Sequence, residues 1–175
     1  GYGDVEVNSC YWMDPVNWSL DGNHYEISQT NQIDHIWDVT RTTAYGGFEE
    51  LTSVVDEATC DATPGSFYYD AVGDVLHVRT ADDRAPDLDL RATGGTRNVG
   101  TVSHATQKYV YAENIKFMFS SGNHIRFYQT TGADIRAFFK GCTISHPGGS
   151  SGLLNLDGVA LSIVQECTLE HGVNK

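Results

Sequence analysis

The chain has 175 residues, 40% of them hydrophobic, and a formal net charge of −12, which allows one core or two small lobes. No stretch approaches the ~20 apolar residues of a helical membrane span, so no membrane partner is expected. Residues 1–95 carry 18 acids against four arginines (−14), while residues 96–175 carry five acids against seven bases (+2); the acidic front half repels nucleic acid and anionic lipid, which are excluded as partners.

Eighteen glycines and nine tyrosines favour strands and turns. Residues 1–60 read as irregular β structure with turns. Asp21-Gly22-Asn23 is a turn signal, and His24-Tyr25-Glu26-Ile27-Ser28 is a short alternating strand. Ile33 to Val39 alternates again and is expected to place Ile33 and Trp37 on one side. Phe48 to Val55 suits a strand better than a short helix. The clearest local unit follows: Pro64-Gly65, the aromatic strand Ser66-Phe67-Tyr68-Tyr69-Asp70, a tight connection at Ala71-Val72-Gly73-Asp74, and the returning strand Val75-Leu76-His77-Val78-Arg79. This pattern predicts a β-hairpin over residues 64–79. After a loop at residues 81–86, Leu88 and Leu90 start another strand.

From Val110 the texture changes to short alternating runs with a Gly or Asn every few residues. Tyr109–Tyr111, Ile115–Phe119, His124–Tyr128, Ile135–Phe139, Leu153–Leu156 and Leu161–Val164 each suit a strand of about 3–5 residues. A phrase recurs here. Cys142-Thr143-Ile144-Ser145-His146 is matched by Cys167-Thr168-Leu169-Glu170-His171, and Ile115-Lys116-Phe117 is a degenerate copy at a similar distance before Cys142. A period of about 25 residues signals repeats that bury their faces only against neighbours. Two or three short strands per period suit one coil of a parallel β-helix. Cys142 and Cys167 should then stack inside as small apolar fillers, in a geometry poorly suited to a disulfide. Cys10 and Cys60 are left as either a pair or two free thiols. No Cys-x-x-Cys spacing points to zinc or thioredoxin-type chemistry.

The Pro64–Asp70 and Val75–Arg79 hairpin followed by Cys-Thr-Ile-x-His coils resembles right-handed parallel β-helix proteins, among them secreted carbohydrate-active enzymes and phage tail or tailspike proteins. The resemblance covers roughly residues 60–175. It implies an all-β chain: an acidic β-rich capping region over residues 1–95, then about three right-handed parallel β-helix coils over residues 96–175. The sequence begins Gly1-Tyr2-Gly3 without a methionine and stops just after the third Cys-type strand. A processed product or fragment is expected, or a protomer whose end another chain covers.

Asn155-Leu156-Asp157-Gly158 resembles the Asn-x-Asp-Gly signature of polygalacturonase-type hydrolases, and His171-Gly172 echoes their Gly-His-Gly. That likeness implies catalytic roles for Asp157, Glu170 and His171, with paired carboxylates flanking the sugar bond. The chain departs from the pattern: it has no Asp-Asp pair one coil later and no Arg-x-Lys, and Glu170 stands where the first glycine would be. The plainer alternative makes Asn155 a ladder residue and Asp157-Gly158 a turn. Asn155, His146, Trp37 and Tyr69 are candidates for substrate contact, His146 sharing a repeat position with His171 and the aromatics offering faces for sugar rings. No cofactor is expected: Asp82, Asp83, Asp87 and Asp89 read as a solvated acidic surface, with Ca²⁺ held by these four as the alternative.

The function expected from the resemblance is a structural and glycan-contacting module of a phage tail or tailspike-type protein, extracellular or on the virion. Its partners would be a polysaccharide or cell-surface glycan, and further coils of the same protein or sister chains in a homotrimer. Two alternatives stay open: the N-terminal part of a secreted polysaccharide hydrolase or lyase, and a non-catalytic carbohydrate-binding or adhesin module.

Overall fold

The structure, a computed structural model, describes residues 5–44, 46–95, 100–104, 108–121, 125–129, 135–147, 154–156 and 159–170. It is all-β apart from one 3-10 turn at Pro15–Asn17 and one short helix. The chain divides into two compact units, Cys10–Gly95 and Gly1–Ser9 with Thr96–Lys175. The opening strand β1 (Val5–Asn8) thus belongs with the later residues, not with the N-terminal region in which the sequence reading placed it.

The unit Cys10–Gly95 is mainly antiparallel. In chain order it contains β2 (Ser19–Asp21), β3 (His24–Ser28), β4 (His35–Thr42), β5 (Phe48–Glu50), β6 (Thr52–Ser53), α1 (Glu57–Ala62), β7 (Ser66–Asp70), β8 (Val75–Arg79) and β9 (Leu90–Thr93). Five strands pair in the order β2-β3-β8-β7-β6, and three in the order β5-β4-β9. Strands β7 and β8 form the expected hairpin, in register from Ser66↔Arg79 to Asp70↔Val75. Its connection is fixed by the Asp70 carboxylate, which accepts from the Val72 amide at 2.9 Å. Both sheets contribute to one core of Ile27, Ile36, Phe67, Leu76, Val78, Leu90 and Ala92. Burying each of the larger side chains is worth about 1.5–3 kcal/mol.

Two local expectations need correction. Residues 57–62, read as irregular β, form α1: the Asp56 carboxylate caps it by accepting from the Thr59 amide at 2.7 Å. A helix this short leaves no amphipathic period in the sequence. Strand β4 does not alternate as expected, because Ile36, Trp37 and Asp38 are buried in succession. Ile36 enters the core, Trp37 stacks on His35, and Asp38 meets Arg84. At the end of β9 the backbone passes so close to Gln32 that a Cβ on Gly94 would overlap the Gln32 carbonyl oxygen. Gly94→Ala is therefore expected to destabilise this unit by about 1–3 kcal/mol, as overpacking does. Thermal unfolding followed by tryptophan fluorescence checks this, since Trp12, Trp18 and Trp37 all lie in this unit; an unchanged melting temperature would place the two segments further apart.

The other unit is built from parallel pairings alone among its described strands. It continues with β10 (Gly100–His104), β11 (Lys108–Glu113), β12 (Ile115–Ser120), β13 (Ile125–Gln129), β14 (Ile135–Lys140), β15 (Thr143–Pro147), β16 (Leu154–Asn155), β17 (Val159–Gln165) and β18 (Thr168–Glu170). The strand orders are β10-β13-β16, β11-β14-β17 and β1-β12-β15-β18. Tyr109↔Arg136, Lys116↔Thr143, Phe138↔Ile163 and Thr143↔Thr168 each pair a residue with its counterpart one sequence period later. Val5↔Ile115 is the exception, because the whole of Cys10–Gly95 lies between these two strands in the chain. With that unit taken out, β1 and β12 also stand about one period apart. The antiparallel unit therefore lies in the chain between two strands that pair with each other.

Positive φ recurs at matching positions of the paired strands and of the turns that follow them. Asn114, Gly141 and Glu166 all take positive φ, as do Phe119 and His146. Successive turns are tied by Asn114 N–H to the Lys140 carbonyl and Gly141 N–H to the Gln165 carbonyl, both at 3.0 Å. Inward side chains Ala112, Ile125, Ile135, Ala137, Phe139, Cys142 and Ile144 form the core of this unit. Cys142 and Cys167, just before the paired strands β15 and β18, are not joined by a disulfide, and the Cys142 amide donates to the Cys167 Sγ at 3.4 Å. Cys10 and Cys60 are likewise not joined by a disulfide.

Candidate functional site

Strands β11 and β14 of the β11-β14-β17 sheet bury alternate residues and turn the others outward. Ala112, Ala137 and Phe139 point to the core, leaving Tyr109, Tyr111 and Glu113 on the other face of β11. Register then decides which outward residues adjoin. Tyr109, Arg136 and Leu161 share one rung, and Tyr111, Phe138 and Ile163 the next. Neighbouring strands of such a ladder lie about 4.8 Å apart.

Tyr109 and Tyr111 are 65% and 64% exposed, unusually open for residues of this size. The Arg136 guanidinium carbon lies 5.9 Å from the Tyr109 ring centroid, within range of a cation–π contact. The Tyr111 hydroxyl donates to Glu113 Oε2 at 2.8 Å, and Lys140 Nζ stands 3.4 Å from Glu113 Oε1. Hydrogen bonding to this carboxylate raises the Tyr111 pKa, and the same bond, with help from Lys140, holds Glu113 below the usual carboxylate range. The face therefore combines fixed aromatic rings with a protonated phenol, a carboxylate and two cations. That combination suits a ligand with both apolar C–H faces and hydroxyl groups.

Sequence reasoning recognised Tyr109–Tyr111 and Ile135–Phe139 as strands but missed this face. The available signal was the alternation of Tyr109-Val110-Tyr111, echoed one period later by Arg136-Ala137-Phe138. No protein-family model, curated protein or solved structure matches this chain.

The residues singled out from the sequence are scattered. His146 is buried, its Nδ1 3.0 Å from the Ser145 hydroxyl and its ring 5.3 Å from that of Phe119. It therefore packs inside this unit, within β15 and beside Phe119. Trp37 is 3% exposed and lies in the other unit, so its ring cannot serve as a surface platform. Tyr69 packs on that unit's core, with its hydroxyl 3.3 Å from the Asp74 carboxylate. Glu170 is exposed at the end of β18, and Asn155 lies on β16, with its backbone paired to Arg126. Asp157 and His171 lie outside the described residues.

The acidic loop expected to hold Ca²⁺ is largely committed to arginines. Asp82 pairs with Arg84 at 3.0 Å, Asp83 with Arg79 at 2.7 Å, and Asp87 lies 3.7 Å from the Arg84 Nε. The Asp87 carboxylate also accepts from the Asp89 amide. Asp82, Asp83 and Asp87 are thus turned toward guanidinium groups.

Proposed function

We propose that residues 1–9 and 96–175 are a section of a right-handed parallel β-helix acting as a structural, glycan-contacting module of the phage tail or tailspike type. The observation that carries this reading is the outward row Tyr109, Tyr111 and Phe138 on consecutive parallel strands, flanked by Arg136, Lys140 and Glu113. All-parallel pairing of each strand with its counterpart one period on supports the solenoid. Rings held by a sheet backbone present sugar-stacking faces at little cost in conformational entropy. An extracellular or virion setting belongs to this proposal.

Inward-facing Val164 and Leu169 are 43% and 52% exposed, although their register partners Phe139 and Ile144 are buried. This half-open apolar rung suits further coils or sister chains. Light scattering is expected to give a trimer for the tailspike arrangement; a strict monomer at high concentration would count against it.

Glycan-array binding tests the reading directly. The chain is expected to retain a polysaccharide without cleaving it, and Tyr111→Ala is expected to weaken retention about tenfold, the equivalent of ~1.4 kcal/mol. Silence across neutral and acidic glycans, or full binding by Tyr109→Ala/Tyr111→Ala, would remove it. Bond cleavage abolished by Asp157→Asn would replace it with the hydrolase or lyase reading.

A further inference from the structure

The antiparallel unit holds a cluster with different chemistry. The Asp21-Gly22-Asn23 turn delivers His24 to the start of β3, β3 pairs with β8, and Glu26↔His77 stand opposite each other. Helix α1 packs against β7 and β8 and brings Glu57 and Asp61 to the same place. As a result His24 and His77, far apart in sequence, lie with Nε2 and Nδ1 3.1 Å apart, and both are buried. Glu57 Oε1 is 3.9 Å from the His24 Nε2, and one ligating atom from each of the three residues falls within 4.8 Å of the others.

Around this trio the chain orients its donors. Asp61 Oδ1 lies 3.3 Å from the His24 Nδ1, so the imidazole donates its Nδ1 proton to the carboxylate and turns the Nε2 lone pair toward His77 and Glu57. Asp61 is itself fixed, accepting from the Asn23 amide and, at 3.3 Å, from the Asn23 side chain. Those bonds, the amide first and His24 next, hold its carboxyl below the usual range. Gly22 has φ +58, and a Cβ there would overlap the Asp61 Oδ1, so the glycine admits this carboxylate. The His77 ring is stacked on Tyr68, at 5.6 Å and 23°.

We propose that His24 Nε2, His77 Nδ1 and a Glu57 carboxylate oxygen form a site for a first-row divalent cation of the Zn²⁺ type, with Asp61 as the carboxylate that orients His24. Two imidazoles and one carboxylate make a three-ligand set that leaves a position for water. Metal-bound histidines characteristically donate their second ring N–H to a carboxylate, as His24 does to Asp61. A ligating imidazole must be neutral, and burial acts in that direction by lowering the His77 pKa against the opposing charge of Glu57. A hollow of about 620 Å³ lined by Asp21, Gly22, His24, Asp56, Glu57, Ala58 and Asp61 gives a cation access. Its carboxylates focus positive charge toward the histidines. Without a cation, the His77 Nδ1–H donates to the His24 Nε2; binding breaks that hydrogen bond and leaves the His77 proton on Nε2.

The test titrates Zn²⁺ alone into the EDTA-treated full chain by calorimetry, with imidazole nitrogen NMR in parallel. One equivalent is expected to bind, with shifts of the His24 Nε2 and His77 Nδ1 resonances and a higher melting temperature by tryptophan fluorescence. Asp61→Asn is expected to weaken binding about 10–100-fold, and Glu57→Gln, at a half-exposed position that folding tolerates, at least tenfold. Absence of saturable binding would overturn the proposal. So would equal affinity in the wild type, Glu57→Gln and Asp61→Asn, which would place the ion on other groups such as the cysteine side chains, none of which is in a disulfide.

Discussion

Arg84→Ala is expected to destabilise the antiparallel unit by about 3–5 kcal/mol, the cost of leaving a buried charge without its partner. Asp38 is 1% exposed and receives both Arg84 terminal nitrogens, Nη1 on Oδ2 at 2.8 Å and Nη2 on Oδ1 at 2.9 Å. The Thr40 hydroxyl and amide also bond Oδ1, at 2.6 and 3.0 Å. The pair joins β4 to the loop before β9, and the Thr80 hydroxyl holds that loop through the Arg84 carbonyl. Chemical denaturation followed by tryptophan fluorescence measures the loss. Asp38→Ala/Arg84→Ala is expected to cost less than the two single changes added together, because no orphaned charge remains. A loss below about 1 kcal/mol for Arg84→Ala, the level of an exposed pair, would mean that solvent replaces the guanidinium.

The same pair sets a pH dependence. Burial pushes the Asp38 carboxyl up, but hydrogen bonds from Arg84 and Thr40 with the Arg84 charge prevail, and its pKa is lowered. A depressed folded pKa contributes stability above the unfolded carboxylate value of about 3.9, lost as pH falls through the folded value. In Arg84→Ala burial acts without that counterweight, so the acid-unfolding midpoint is expected to move to higher pH.

Phe139→Ala should open the core of the parallel unit and cost about 3–5 kcal/mol, the range for a buried aromatic cut back to a methyl. Phe139 is 2% exposed, stands in register between Ala112 and Val164, and meets Phe117 edge-on with ring centroids 6.5 Å apart. Ala112 is too small to fill the space left behind. Amide hydrogen exchange is the measurement: protection along β11, β14 and β17 is expected to fall together. Protection unchanged in all three strands would show that Phe139 does not hold these rungs together.

The hairpin of β7 and β8 was legible because its turn chemistry is local: Gly73 and Asp74 sit where the chain must reverse, and Asp74 takes a φ of 53°. The relation of Cys142 to Cys167 was also legible, because stacked rungs place the same residue type in the same environment. Strand β10 left no clear signal, nor did α1, whose cap at Asp56 could equally mark a turn. In the Asp82–Asp89 loop the run of acids was legible, but not that Arg79 and Arg84 pair with Asp82, Asp83 and Asp87.

Alternation, turn residues and a recurring Cys-Thr phrase are properties of positions read along the chain, so the sequence alone determined the β character, the hairpin and the stacked cysteines. The pairing of β1 with β12, and the meeting of His24 with His77, join segments too distant in the chain to leave a local signature. Only the pairing of strands across those distances decided that the antiparallel unit lies in the chain between two strands of one parallel sheet. Pairing also set Tyr111 beside Phe138 on an outward face and directed two imidazoles and a carboxylate at one point.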